Sequence, residues 1–346
     1  MDLVPDVTVV VLAYGPEAGL RECLLSVLAS RDVSVDLVVV DNGCTNPELA
    51  ELRSLPGTRW IEPGRNTGFA GGCNLGASAS SDHLVLLNSD AQVEPDAIRR
   101  LVEVIADPTV GLVTGLLLLE QEPDRVNAAG NPIHWSMVSW AGGYGDPRES
   151  HSQGRDSAGA SGAFLALRKE TWDLLGGFDE ALFAYLEDAE LSMRCWLAGL
   201  RVRYEPTAVA YHRYEFARNA DKFYLIERNR LVNLLTIYER PTLAALAPGL
   251  VLLEAAMTFV AVRDGWFASK RAGWAWIWRN RGLIAERRRH NLLRRRRHDA
   301  ALLVRLDDEI RPSPETGQRV PQALNAVLRA QGRLARRLLG AADSGE

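Results

Sequence analysis

The sequence predicts an α/β protein, a mostly parallel sheet flanked by helices, extended at its C-terminal end by helices alone. Three observations carry this reading. Between residues 7 and 119, short β-branched runs alternate with stretches of helical period, the pattern of strand–helix–strand units. Polar clusters at Asp41, at residues 65–74 and at Asp90 each fall at or just past the carboxyl end of an apolar run. That is where open α/β sheets bind ligands, so the clusters imply one shared crevice. Beyond His212 the strand pattern gives way to helical periodicity.

Residues 7–13 form a continuous β-branched run, as a buried parallel strand does, and Gly15-Pro16 breaks it. Leu20, Cys23, Leu24, Val27 and Leu28 then recur at helical spacing. Residues 35–40 make a second strand ending at Asp41-Asn42-Gly43. Residues 47–55 read as a short helix and 58–61 as a third strand. A loop at 65–74 leads into a helix of small residues. Residues 83–87 form a fourth strand that ends at Asn88-Ser89-Asp90. Pro95 opens an amphipathic helix carrying Ile98, Leu101, Val102 and Ile105, and 110–119 is a fifth strand. Residues 120–158 are rich in Gly, Asn and Ser and read as a surface excursion holding Trp135, Trp140 and Tyr144. A small-residue strand at 160–167 and a short helix from Thr171 to Gly176-Gly177 follow.

The stretch from Gly176 to His212 concentrates the chemistry. Glu187, Asp188 and Glu190 stand at the start of a helical stripe formed by Leu191, Cys195 and Ala198, and Gly199 ends it. Acids suit the positive end of a helix dipole, so taken alone they read equally well as capping. A strand-like run at 207–211 then returns the chain to His212. A carboxylate and an imidazole brought together this way point to a base beside a metal ligand, whereas a lone His by itself reads as a structural group. Asp90 at its strand end suits a hard divalent cation shared with substrate phosphates, though Asn, Ser and Asp are also ordinary turn residues.

The chain has 346 residues, 47% of them apolar, enough for a large core. Its net charge of −4 conceals an asymmetry: residues 1–262 sum to −14 and residues 263–340 to +12. Different partners for the two ends are implied. The four cysteines form no CxxC pair and read as reduced thiols of a cytosolic protein. The first residues lack a basic segment and run directly into a strand, so no signal peptide is expected.

Six pieces occur in a fixed order: VVVLAYG at 9–15, VVVDNGCTN at 38–46, NTGFAGGCNLG at 66–76, LLNSDAQVEPDAI at 86–98, the run from SGAFLALRKE through FAYLEDAELSMRCW to VRYEP at 161–206, and His212. As a set this resembles the family 2 glycosyltransferases of GT-A fold, particularly the bacterial rhamnosyltransferase-like group. The resemblance implies that Asp41 contacts the nucleotide base or ribose, with backbone around Ala13 and Tyr14 lining the base pocket. It implies that Asn66, Gly71 and Asn74 approach the sugar nucleotide. It places Ser89 and Asp90 at the diphosphate, with Asp90 holding Mg²⁺ or Mn²⁺ and His212 as second ligand. The family's first acid is replaced here by Asn88. Asp188 would be the catalytic base, and Trp135, Trp140, Gly162 and Glu187 the acceptor side. Glu187 and Glu190 would raise the Asp188 pKa.

The implied reaction is an inverting transfer from a nucleotide sugar to a lipid-linked or polysaccharide acceptor. The donor is expected to be dTDP-L-rhamnose. UDP-galactofuranose or UDP-N-acetylglucosamine would use the same mechanism. A non-catalytic scaffold would explain the missing acid at position 88.

The expected division is 1–239 for the glycosyltransferase domain and 240–346 for a Trp- and Arg-rich helical region. Residues 219–238 read as a long helix carrying Arg228, Asn229 and Arg230, and 320–339 as the last helix. Residues 242–262 are long enough to cross a bilayer, but crossing would part the catalytic domain from the arginine runs at 287–289 and 294–297. Lying in the inner face of the cell membrane, with five nearby aromatics, is the preferred reading; internal packing of the tryptophans is the other. No nucleic-acid motif accompanies the arginines.

Overall fold

In a computed structural model, residues 6–78, 80–213, 221–312 and 320–341 are described. The strands are β1 (Asp6–Gly15), β2 (Ser34–Cys44), β3 (Thr58–Ile61), β4 (His83–Asn88), β5 (Ala91–Val93), β6 (Val110–Leu119), β7 (Glu122–Ala129), β8 (Arg155–Asp156), β9 (Phe164–Arg168) and β10 (Arg201–His212). The helices of the first two thirds are α1 (Leu20–Leu28), α2 (Leu49–Leu52), α3 (Gly68–Ala77), α4 (Ala97–Ile105), α5 (Lys169–Leu175) and α6 (Glu187–Leu197). The remainder is α7 (Lys222–Ile237), α8 (Arg240–Arg263), α9 (Phe267–Arg279), α10 (Arg281–Arg294), α11 (Asp299–Leu303) and α12 (Gln322–Leu338). The start expected for α7 at Asn219 lies outside the described residues.

One ten-stranded sheet runs in the order β3-β2-β1-β4-β9-β6-β10-β5, with β7 added to β6 and β8 to β10. Strands β1 to β4, β6 and β10 point one way, and β9 runs against both its neighbours, β4 and β6. The antiparallel insertion has a consequence for the site. β9 starts at the end of the sheet where β4 finishes, so Ala163 accepts a hydrogen bond from Asn88 N at 2.9 Å. The three-residue β5, which the sequence pattern did not mark, pairs antiparallel with the end of β10 and sets Ala91 opposite His212.

Three expectations change in the structure. The loop at 65–74 is already helical from Gly68. Its glycines are there for packing: a Cβ on Gly72 would run into Leu12, and one on Gly76 into Val10. Residues 120–158 are not a mere surface excursion. The inner half of β7 is buried, as are Ile133, Trp135 and Met137. Backbone bonds such as Ala129 N to Gly142 O (2.8 Å) and Gly142 N to Gly130 O (3.0 Å) satisfy the polar chain there. The arginine runs are in part internal connectors, although Arg289, Arg294, Arg296 and Arg297 are exposed. Buried Arg287 pairs with Asp179, Arg294 donates to Leu175 O at 3.0 Å, and Arg295 donates to Ile237 O at 2.7 Å and Asp299 at 2.9 Å.

The apolar core on one face of the sheet continues through Trp135, Tyr238, Leu246, Leu302 and Leu328 into the C-terminal helices. Pro248 sits inside α8 without ending it.

Candidate functional site

The candidate site residues stand at the carboxyl ends of β1, β2 and β4. Tyr14 is 53% exposed and its ring lies near the turn at Gly43, whose φ is +97°. Ala13 is fully buried and offers only backbone. Asp41 accepts from Cys44 N (2.8 Å) and Gly43 N (3.1 Å) and pairs with Arg53 at 2.6 Å. Burial works to raise its carboxyl, but these amides and the guanidinium outweigh it and hold the group below the usual range.

Asn42, which sequence reasoning passed over, organises the next loop. Its amide donates to Asn66 Oδ1 (3.0 Å) and Gly68 O (3.2 Å) and accepts from Thr67 N (2.7 Å) and Thr67 Oγ1 (2.9 Å). The only signal was its place directly after a strand end. Asn66 remains exposed beside it. Gly71 lies against Thr67, with Glu180 near. The Asn74 amide donates to Phe178 O and accepts from Phe178 N, both at 2.9 Å, and donates to Glu180 Oε1 at 3.1 Å. It clamps the 178–180 loop onto α3.

Asp90 and His212 meet. His212 Nε2 lies 3.0 Å from Asp90 Oδ1 and 3.4 Å from Asn88 Nδ2. Its Nδ1 lies 2.9 Å from Asn127 Oδ1 on β7. With Nδ1–H donating to Asn127, Nε2 turns its lone pair toward the carboxylate, an arrangement that a cation completes. Among the described residues no cluster of three or more His, Cys, Asp or Glu side chains could hold a metal. An oxygen and a nitrogen ligand therefore fit a divalent ion that draws its remaining ligands from a diphosphate and water. Ser89 is buried and its hydroxyl donates to Glu17 at 3.3 Å. Asn127 is the second residue missed from sequence, because it sits in the segment read as surface.

Asp188 stands at the start of α6. Gly162 N donates to its Oδ2 at 2.9 Å and Ala189 N to its Oδ1 at 2.7 Å. A Cβ on Gly162 would lie 3.4 Å from Asp188 and from the Phe69 ring, so the glycine keeps space open beside the carboxylate. A bonded path thus joins the two halves of the site, from Asp188 through Gly162 and Ala163 to Asn88, His212 and Asp90.

Burial raises the Asp188 carboxyl above its ordinary range, against the Gly162 and Ala189 amides. Glu190 is not the cause expected from sequence. It is 1% exposed and bonded to Arg194 at 2.6–2.9 Å, so its charge is compensated. Glu187 is buried, and its Oε2 has no partner. Burial first, then the Asp188 charge, pushes it up to about 8. The folded chain then holds a proton there that an unfolded chain releases above about 4.5, so this site's stabilisation is full below that pH and is lost as pH rises toward 8. Glu187→Gln is expected to leave thermal stability unchanged at pH 4 and to raise it at pH 9 by about 2–4 kcal/mol, read by calorimetry at both pH values.

The acceptor-side residues expected from sequence are dispersed. Gly162 and Glu187 flank Asp188 as described. Trp140 is half-buried and its backbone bonds to Pro132. Trp135 is fully buried, its ring between Gly249 of α8 and Gly332 of α12 and its carbonyl bonded by Tyr238. An acceptor arriving from solvent does not reach it.

A family model described as glycosyltransferase-like family 2 matches residues 5–233. The N-acetylglucosaminyl-diphospho-decaprenol L-rhamnosyltransferase of Mycobacterium tuberculosis is 27% identical over 231 residues, 59% of this chain and 75% of that protein. The pre-mycofactocin glycosyltransferase of Mycobacterium tuberculosis is 28% identical over 217 residues, 60% of this chain and 42% of that protein. A solved structure of GalNAc-T7 with UDP, GalNAc and Mn²⁺ aligns with a TM-score of 0.59 at 18% identity, covering 72% of this chain and 51% of that one. This chain therefore spans about half the length of that structure, and the likeness is one of fold, as the order of motifs implied.

Proposed function

The chain belongs to glycosyltransferase-like family 2, and from that premise we propose that it transfers a sugar from a nucleotide diphosphate to an acceptor hydroxyl with inversion. The observation that carries this is the bonded path from Asp188 to Asp90, which links a carboxylate with a raised pKa to the Asp90–His212 pair. Asp188, held by the Gly162 and Ala189 amides, takes the acceptor proton as the oxygen attacks. Attack from the face opposite the leaving diphosphate inverts the anomeric centre. Asp90 and His212 would hold Mg²⁺ or Mn²⁺, which when bound offsets the charge on the leaving group. Tyr14, Asp41 and the loop around Asn66 hold the nucleoside end.

The donor we favour is dTDP-L-rhamnose and the acceptor a lipid-linked glycan. The support is the Mycobacterium tuberculosis relative, whose name describes rhamnosyl transfer to a decaprenol-linked sugar. Residues 1–239 would form the transferase domain and 240–346 a region that meets the membrane surface. Favouring that surface, α8 is the one helix among the described residues long and apolar enough to cross a membrane, with 22% of its apolar window buried. Val251, Phe259, Val262 and Trp278 are 61–71% exposed. Glu254, midway along α8, is paired with Arg230 at 2.5 Å and Lys270 at 2.9 Å, so it faces protein.

The test is thermal shift against dTDP-L-rhamnose, UDP-galactofuranose and UDP-N-acetylglucosamine, with and without Mn²⁺. The donor at 100 times its Kd is expected to stabilise by about 2.7 kcal/mol, only with the metal. Stabilisation by a UDP-sugar instead changes the donor. No response, with no hydrolysis of any sugar nucleotide, overturns the catalytic reading.

A further inference from the structure

The turn that delivers Asp188 is built from backbone that side chains rarely adopt. Phe183 has φ +66° and ψ −65°, Tyr185 φ +70° and Leu186 φ +65°. Bulky residues persist there only where their surroundings over-determine them, and such residues gather at functional sites. The clamp comes from α7. The Asn229 amide nitrogen, fully buried, lies 2.9 Å from Leu182 O, 2.9 Å from Ala184 O and 2.7 Å from Tyr185 O. Asn233, one turn on, donates to Leu186 O at 3.2 Å.

Arg228 sets which way the Asn229 amide faces. Its Nε donates to Asn229 Oδ1 at 2.9 Å, which leaves the amide nitrogen for the turn. Its guanidinium also donates to Leu182 O at 2.6 Å and lies 4.7 Å from the Trp276 ring centroid on α9. Burial lowers the Arg228 pKa, against a hydrogen bond with the Tyr224 side chain, so the guanidinium is retained here against a desolvation cost.

We propose that Asn229, oriented by Arg228, is a positioning residue for the transfer reaction: it holds the left-handed 182–186 turn and so fixes the first turn of α6 that carries Asp188. The inference rests on the reading of Asp188 as base. It gives Arg228, Asn229 and Asn233 of α7 a role in positioning Asp188.

The experiment compares the full chain with Asn229→Asp, which keeps the acceptor for Arg228 but sets carboxylate oxygen against three carbonyls. Asn233→Ala is the milder variant should Asn229→Asp fail to fold. Hydrogen exchange should be about tenfold faster or more at the amides of 183–189, with sheet protection unchanged. With the donor found by the nucleotide-sugar panel, kcat should fall about 100-fold while the donor KM stays within about threefold. The acid limb of the kcat–pH profile should move to lower pH, since Asp188 released toward water loses the burial that raises it. Unchanged exchange at the turn, an unchanged kcat, or a parallel rise in KM overturns the proposal. If the wild-type chain turns over no sugar nucleotide while exchange at the turn still rises, it is the role of Asp188 as base that fails, and the positioning role with it; the clamp alone survives.

Discussion

Asp188→Asn is expected to reduce kcat by about 10²–10⁴-fold while the affinity for the sugar nucleotide changes by less than about threefold. Asn keeps the shape of the side chain and can still accept from one of the two amides, Gly162 N or Ala189 N, which in Asp188 bond to separate oxygens. It cannot take a proton. Because the carboxyl sits above its ordinary range, wild-type kcat should rise with pH through that raised pKa and then level, and the variant should lack this limb. Single-turnover transfer and nucleotide-sugar calorimetry on the same preparations decide the matter. Loss of binding in Asp188→Asn would move the residue into the donor site.

Asp90→Ala is expected to abolish the Mn²⁺-dependent part of donor binding, so that calorimetric titration with and without the ion gives the same weak affinity. The reason is the count of ligands. With Asp90 and His212 the pair in contact, removing one leaves a single imidazole to hold the ion. Asn127→Ala should be milder, about 10–100-fold in metal affinity, because it frees the His212 ring to turn without removing a ligand. Equal donor affinity in wild type and Asp90→Ala at every ion concentration would sink the metal assignment.

Much of the chain between residues 7 and 119 was legible beforehand for a simple reason. Buried parallel strands must be apolar along their whole length, and the helices between them must carry one apolar face, so period alone separates them. β3 and β6 match residue for residue. The positions of Asp41, Asp90 and His212 were legible because they fall where apolar strand runs end, and Asp188 because it opens the helical stripe of α6. Residues 120–158 and the C-terminal helices were less so. Gly, Asn and Ser in 120–158 look the same whether exposed or buried and bonded, and only pairing with β6 buries Asn127 and Val126. The arginines of α10 look like a solvated basic face until Asp179 and the carbonyl of Leu175 are found against them.

The sequence alone determined the family, the α/β order of the elements, and which acids and which histidine are available for chemistry. These follow from residue type and local period, which need no knowledge of what lies across space. Only the tertiary structure decided that β9 runs backward to lay Gly162 between Asp188 and Asn88, and that three-residue β5 sets Asp90 against His212. It also decided that Trp135 is core while Asn229 holds the turn at 182–186. Each of these is a contact between residues 26 or more positions apart or a choice of strand direction. Such contacts are set by register and chain return, and no local pattern encodes them.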